Sequence, residues 1–298
     1  MLTGILAGLA AGALWGLVFV VPRITPGLSA VDLTAGRFIS FGAVALVAML
    51  LTAKSAKLPT LNQALTALGM SLLGYSGYYW LLAMSITDAG SEVPTLIIGT
   101  IPIWMMIWGK PLALRWRALL PGMLLTMLGL ALMTLASLRL LGTIGGDATF
   151  WRGVGFATLA MVSWTVFGLV NAAWLHKHPQ VSASTWTNWL GVATGLGAVL
   201  LWWAAGSPVQ ELKLLDNKAW LIFVCVATGI GSAWLATIFW TVASQRLSAS
   251  LCGQLIVAET IFGLIYSFIW DQSWPSGLQV AACVLFIAGI LASIRAHK

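Results

Sequence analysis

Apolar residues in this chain come in long blocks, divided by short polar stretches that hold nearly all of its charge. Charged side chains make up only 8% of the 298 residues, against about a quarter in soluble domains, too few to coat a globule in water. A soluble enzyme and a nucleic-acid-binding domain are excluded on that ground. A helix crossing a bilayer needs about 20 apolar residues. The blocks between charges, prolines and turn residues then give ten such helices, at 2–21, 31–52, 63–86, 90–109, 118–137, 152–174, 181–205, 219–243, 248–270 and 276–294. The loops left over are too short for a soluble catalytic domain.

Charge orients the bundle. Loops after even-numbered spans, with the C-terminal tail, hold Lys54, Lys57, Lys110, Arg115, Arg117, Lys177, Arg246, Arg295 and Lys298 and no acid. The opposite side mixes Arg23, Arg139, Arg152, Lys213 and Lys218 with Asp32, Asp88, Glu92, Asp147, Glu211, Asp216 and Asp271. By the positive-inside rule both termini are expected in the cytoplasm. No Lys or Arg precedes the first apolar run, which argues against a cleaved signal peptide. Only Arg37 and Glu259 fall well inside spans.

The chain reads as doubled. Gly4 and Trp15 of span one correspond to Gly153 and Trp164 of span six at a constant offset, and Leu28-Ser-Ala before span two resembles Val181-Ser-Ala before span seven. Five spans per half would make the second half, 145–298, enter the membrane from the side opposite to the first, 1–144. The expected fold is an all-α integral membrane protein of ten transmembrane helices, two inverted five-helix repeats around a central cavity. That is the plan of secondary transporters, with the substrate site near the midplane.

Several residues carry a family likeness. Leu14-Trp15-Gly16, Gly36-Arg37-Phe38, Pro102 and Ala258-Glu259, set in ten spans, resemble the drug/metabolite transporter superfamily in its EamA branch, and most of all its YddG-type exporters of aromatic amino acids. The resemblance implies export of such amino acids or related small metabolites across the inner membrane. Many relatives carry Glu-Pro where this chain has Glu259-Thr260, so it brings no proline kink there. Other amino acids, purines, sugar conjugates and drug cations are the alternative cargo. An integral-membrane enzyme is the remote alternative, because the spans hold no histidine and only one deep acid.

Candidate cavity residues follow from what lipid penalises. Tyr75 shares a helix face with Tyr78 and Tyr79 by i,i+3 and i,i+4 spacing, and a hydroxyl in lipid needs a partner. They line either an aromatic substrate cavity or an ordinary bundle core. Trp15, Trp104, Trp164 and Trp186 lie deeper than an interfacial belt explains, and Asn171, Asn188 and Gln254 are polar at depth. Arg37 either snorkels to the interface or holds a substrate carboxylate. Glu259 either titrates in proton coupling or serves as structural hydrogen-bonding glue. Pro94, Gly99 and Pro102 mark a helix break in span four, which either presents backbone carbonyls to a ligand or is simply a bend. Gly4, Gly8, Gly12 and Gly16 form a bare stripe, suited to tight packing or to sliding.

Cofactors and metals are not expected. No Cys-x-x-Cys and no Gly-x-x-x-x-Gly-Lys-Ser/Thr loop occurs, and His176-Lys177-His178 reads as a solvated turn. The partners expected are a small-molecule substrate and the bilayer, with the chain acting as a monomer.

Overall fold

The computed structural model describes residues 1–52, 58–90, 92–138 and 147–298. Lys54, Lys57 and Arg139, used above for orientation, and the expected boundary between residues 144 and 145 lie outside the described residues.

Lipid supplies no hydrogen-bond partner, so the backbone satisfies itself in helices. In chain order these are α1 (Leu2–Gly16), a 3-10 turn (Leu17–Phe19), α2 (Val21–Ile24), α3 (Ala30–Thr52), α4 (Leu61–Gly74), α5 (Ser76–Ala89), α6 (Glu92–Ile98), α7 (Ile101–Trp108), α8 (Trp116–Leu138), α9 (Ala148–Lys177), α10 (Ala183–Ala205), α11 (Val209–Leu214), α12 (Lys218–Thr228), a π-helical turn (Gly229–Leu235), α13 (Ala236–Arg246), α14 (Ala249–Asp271) and α15 (Gly277–Ala296). Side chains cap the starts at the polar boundaries. Ser182 accepts from Thr185 N, Ser248 from Leu251 N and Asp147 from Phe150 N, while Thr60/Gln63 and Ser276/Gln279 form reciprocal capping boxes.

Among the described residues, 8 helices are long and apolar enough to cross a membrane. Where spans three and four were expected, the chain forms shorter helices with a break in each. Span three breaks at Tyr75, whose backbone (φ −131°, ψ −93°) leaves the helical region. Glycines on either side permit the break. Phe167 presses on Gly74, and a methyl group on Gly77 would stand 2.4 Å from the Leu72 carbonyl oxygen. Tyr75 therefore does not share a continuous helix face with Tyr78 and Tyr79, as its spacing had implied. Span four breaks at Gly99–Thr100, just before Pro102, which lacks the N–H that a continuous helix would use.

Helices meet where side chains are absent. A methyl group on Gly42 of α3 would stand 2.7 Å from Gly195 Cα of α10. Gly122 of α8 faces the Gly289 carbonyl and Ser293 of α15. The glycine stripe of α1 lies against α14: Gly8 meets Leu255, Gly12 the Ala258–Glu259 backbone, and Gly16 the Gly263 backbone. Large apolar side chains cover the outside, among them Leu51, Leu200 and Trp203. An apolar exterior of that extent belongs in lipid.

The two ends of the bundle differ. At one end Arg23 pairs with Asp271 (2.7 Å), Arg152 holds Asp88 through Nε and Nη2 (2.7 and 2.9 Å), and Asp32 accepts from the Ser207 N–H and hydroxyl (2.9 and 2.6 Å). At the other, Gln245 donates to the Val181 carbonyl (2.8 Å) and Ser250 N–H to the Gly109 carbonyl (3.1 Å).

The α3–α10 crossing has a direct test. Gly42→Ala should lower stability by about 1–3 kcal/mol through overpacking. Gly69→Ala, with nothing within 4 Å, should leave it unchanged or slightly raised. Unfolding temperatures of the purified protein in detergent would show this, and equal behaviour of the two variants would contradict the close approach.

Candidate functional site

One buried cation organises the interior. Arg37, in the second turn of α3, is 4% exposed. Its Nε has no hydrogen-bond partner, and no carboxylate lies within ion-pairing distance among the described residues. Asp32, the nearest acid in sequence, is already occupied by Ser29 and Ser207. What Arg37 does have is aromatic: its guanidinium carbon lies 5.2 Å from the Phe38 ring centre and 5.7 Å from that of Tyr79. A cation–π contact contributes about 0.5–2 kcal/mol.

From Arg37 the aromatic side chains run without interruption through the bundle. Tyr79 packs edge-on against Phe38 (5.0 Å) and Tyr78 (5.0 Å). Phe38 meets Tyr75 (6.0 Å), Tyr75 meets Phe167 (5.5 Å), and Phe167 meets Trp164 (5.9 Å). Trp240 then joins Trp164 (5.9 Å) to Trp15 (5.4 Å). The rings come from α1, α3, α5, α9 and α13 and from the break at Tyr75. Trp164 borders both large apolar cores of the molecule.

Polar atoms along this wall lack partners. Glu259, on α14, is only partly buried and makes no hydrogen bond or ion pair among the described residues. The Tyr78 hydroxyl has none either, and Trp240 Nε1 is buried without an acceptor. Tyr75 differs, since its hydroxyl reaches Thr237 Oγ1 at 3.0 Å.

The remaining candidates have partners elsewhere, although Asn171 Nδ2 is buried without a hydrogen-bond partner among the described residues. Trp186 Nε1 donates to Asn171 Oδ1 (2.8 Å), and Trp186 stacks on Trp174 at 3.9 Å. Asn188 accepts from Trp234 Nε1 (2.8 Å). Gln254 donates to Thr126 Oγ1 (2.8 Å) and accepts from Ser293 Oγ (3.1 Å), joining α14 to α8 and α15. Trp104 donates to Thr100 Oγ1 (3.1 Å) at the α6–α7 break and stacks on Trp108. Gly99 lies in that break, while Pro94 and Pro102 occupy the first turns of α6 and α7. A separate cavity of about 470 Å³, lined by Pro26, Gly27, Asp216, Asn217 and Trp220 among others, includes none of the candidates.

A buried cation without an ion pair, a carboxyl without a hydrogen bond and a row of rings from helices along the chain are thus found among the described residues. The model of the EamA-like transporter family matches residues 2–135 and 151–295. The chain belongs to the EamA-like transporter family. It is 30% identical over 309 residues to the inner membrane protein YtfF of Escherichia coli (strain K12), covering 99% of this chain and 96% of that one. A protein of known crystal structure superposes with a TM-score of 0.78 over 98% of both chains, at 20% identity, and so shares the fold.

For this EamA-family protein, sequence reasoning missed Trp240 and Phe38. Trp240 lies near the end of the expected span at 219–243, where an interfacial role is the ordinary one, but α13 continues to Arg246 and carries it inside. Phe38 had one signal, its position next to Arg37.

Both amide atoms of Gln254 already have partners on other helices, as a packing residue's would. Gln254→Leu leaves two buried hydroxyls unpaired and should cost about 1–3 kcal/mol of stability. Transport per folded molecule should not change. A transport defect at wild-type thermal stability would return Gln254 to the binding surface.

Proposed function

We propose that this protein is a secondary transporter exporting aromatic amino acids or closely related metabolites across the inner membrane. It would do so with ten spans in two inverted halves, 1–144 and 145–298, moving by alternating access. The observation that carries the reading is the aromatic wall beside Arg37. Offset and edge-on rings contribute about 0.5–1.5 kcal/mol per contact beyond area burial, so Tyr78, Tyr79, Trp15, Trp164 and Trp240 favour a flat, polarisable ligand. Arg37 supplies a planar fork for its carboxylate.

The packing pattern supports two equivalent halves. Helix α1 rests on α13 and α14, as α9 rests on α5 and on the α6–α7 pair; α3 packs on α10 and α8 on α15. Exchanging the halves maps each contact onto another or onto itself. The match of one family model to both 2–135 and 151–295 agrees with this, as does the similarity to an inner membrane protein. The broken segments 61–89 and 92–108 would be the third and fourth spans. Nine basic residues and no acid in the sequence segments expected on one side support a cytoplasmic location for both termini. With no phosphate-binding loop in the sequence, movement would follow the substrate gradient or a proton gradient.

Efflux from proteoliposomes loaded with a panel of amino acids tests the cargo. Phenylalanine or tryptophan should leave faster than alanine or glutamine. Release no faster than from protein-free vesicles would end the aromatic assignment, and faster release of another solute would replace it. Trp15→Ala, Tyr78→Ala and Trp164→Ala should each slow aromatic efflux by about three- to tenfold, from the lost ring contact, at unchanged abundance. Unchanged efflux in all three would remove these rings from the binding surface.

A further inference from the structure

Beside Trp164 the aromatic wall rests on one side chain. Met105, on α7, is fully buried, and its terminal methyl carbon lies 2.6 Å from where a Cβ on Gly168 of α9 would stand. Gly168 is one turn along α9 from Trp164, and the same Cβ would meet the Trp164 ring at 3.7 Å. On its other side the Met105 Cβ sits against Gly253 of α14, which also faces the Pro102 carbonyl at 3.3 Å. One turn farther, Gly109 at the end of α7 accepts from the N–H of Ser250 in the first turn of α14 (3.1 Å). A methyl group on Gly109 would stand 2.7 Å from that nitrogen and 2.8 Å from the Ala249 Cβ. Ser250 is fully buried there, and its hydroxyl has no partner among the described residues.

The two helices belong to different packing groups. Helices α6 and α7 pack on α9, whereas α14 packs on α1 and, at Gly263, on Phe19 of the 3-10 turn. The α7–α14 junction joins these groups at the end of the bundle that holds Gly109 and Ser250. It differs in kind from the glycine joints at Gly42–Gly195 and Gly122–Gly289, which lie within long helices. Its hydrogen bond links a carbonyl at the end of one helix to a first-turn N–H of another, groups that have no partner in their own helix and that water satisfies when the ends part. The side chain that fills it is an unbranched, flexible methionine, able to leave its notch without breaking a polar contact. The junction is tight when shut and cheap to open.

We propose that the α7–α14 junction is a gate at the edge of the aromatic wall, shut in this structure, with Met105 as its plug. Met105 stays with Gly168 in its own group and separates from Gly253 when the groups part. This rests on the transporter reading above and adds to it the contact that must break for cargo to leave the wall toward the Gly109 end.

Thiol labelling of the full chain in proteoliposomes reads the gate without reference to cargo. With Cys225, Cys252 and Cys283 replaced by Ala, single reporters are placed by Ser250→Cys at the junction and by Ser293→Cys in the α8–α15 joint. Both serines are fully buried, and Ser293 lies at the same level of the bundle, since its hydroxyl bonds Gln254, one turn from Ser250. Ser250→Cys should react with N-ethylmaleimide at least about tenfold faster than Ser293→Cys, because a gate opens and a joint does not. Adding Met105→Ala should raise the Ser250→Cys rate by a further factor of about three or more and leave Ser293→Cys unchanged. Equal rates at the two reporters, or a Ser250→Cys rate indifferent to Met105→Ala, would overturn the gate. Should Ser250→Cys not fold, Ala249→Cys, which also faces Gly109, carries the same comparison. Phenylalanine efflux from the unmodified protein keeps the two readings apart. Efflux with equally slow labelling removes the gate and keeps the transporter; the expected labelling without efflux keeps the gate and removes the aromatic cargo.

Discussion

Hydrogen-bond partners are missing from hydrocarbon, and nearly every feature of this protein answers that shortage. Backbone groups pair within helices, and helices begin at capped serines, threonines or aspartates where water returns. Helices then associate by close backbone contact, because burying leucine in protein gains little over leaving it in lipid. The contacts at Gly42–Gly195, Gly122–Gly289 and along the α1 stripe are therefore the joints of the molecule. Against that background an unsatisfied polar group stands out, since it costs free energy at a place where nothing nearby relieves it. Arg37, Glu259 and the Tyr78 hydroxyl stand out for that reason.

Much of this was legible from the order of residues. Span positions follow from the length of apolar blocks, and the isolation of Arg37 and Glu259 from counting which charges fall between blocks. Trp15 and Trp164 stood out as tryptophans too deep for an interfacial belt, and they lie on one wall. The family followed from short motifs spread over the chain and is shown by the match to residues 2–135 and 151–295.

Other features were hidden because their causes are distant in sequence. The break at Tyr75 depends on Phe167 pressing against Gly74, and no local periodicity announces it. Gln254 has the look of a cavity residue until Thr126 and Ser293 appear at its amide. A polar residue at depth is ambiguous until its partners are known. The same chemistry that marks a binding group, when left unpaired, makes an ordinary fastening when paired.

The π-helical turn between α12 and α13 has a further effect on how the aromatic wall is assembled. Its hydrogen bonds span one residue more than those of an α-helix, and it sits beside Arg37, with Gly229 against the Arg37 carbonyl. Each residue of an α-helix advances the facing direction by about 100°. Helix α12 presents Cys225 to Gly36, while beyond the turn α13 presents Trp240 to Trp15 and Trp164. The extra residue acts as a phase shift, so the two halves of one span answer to different neighbours. Shortening the turn by one residue would swing Trp240 off the wall and leave the apolar character of the span unaltered.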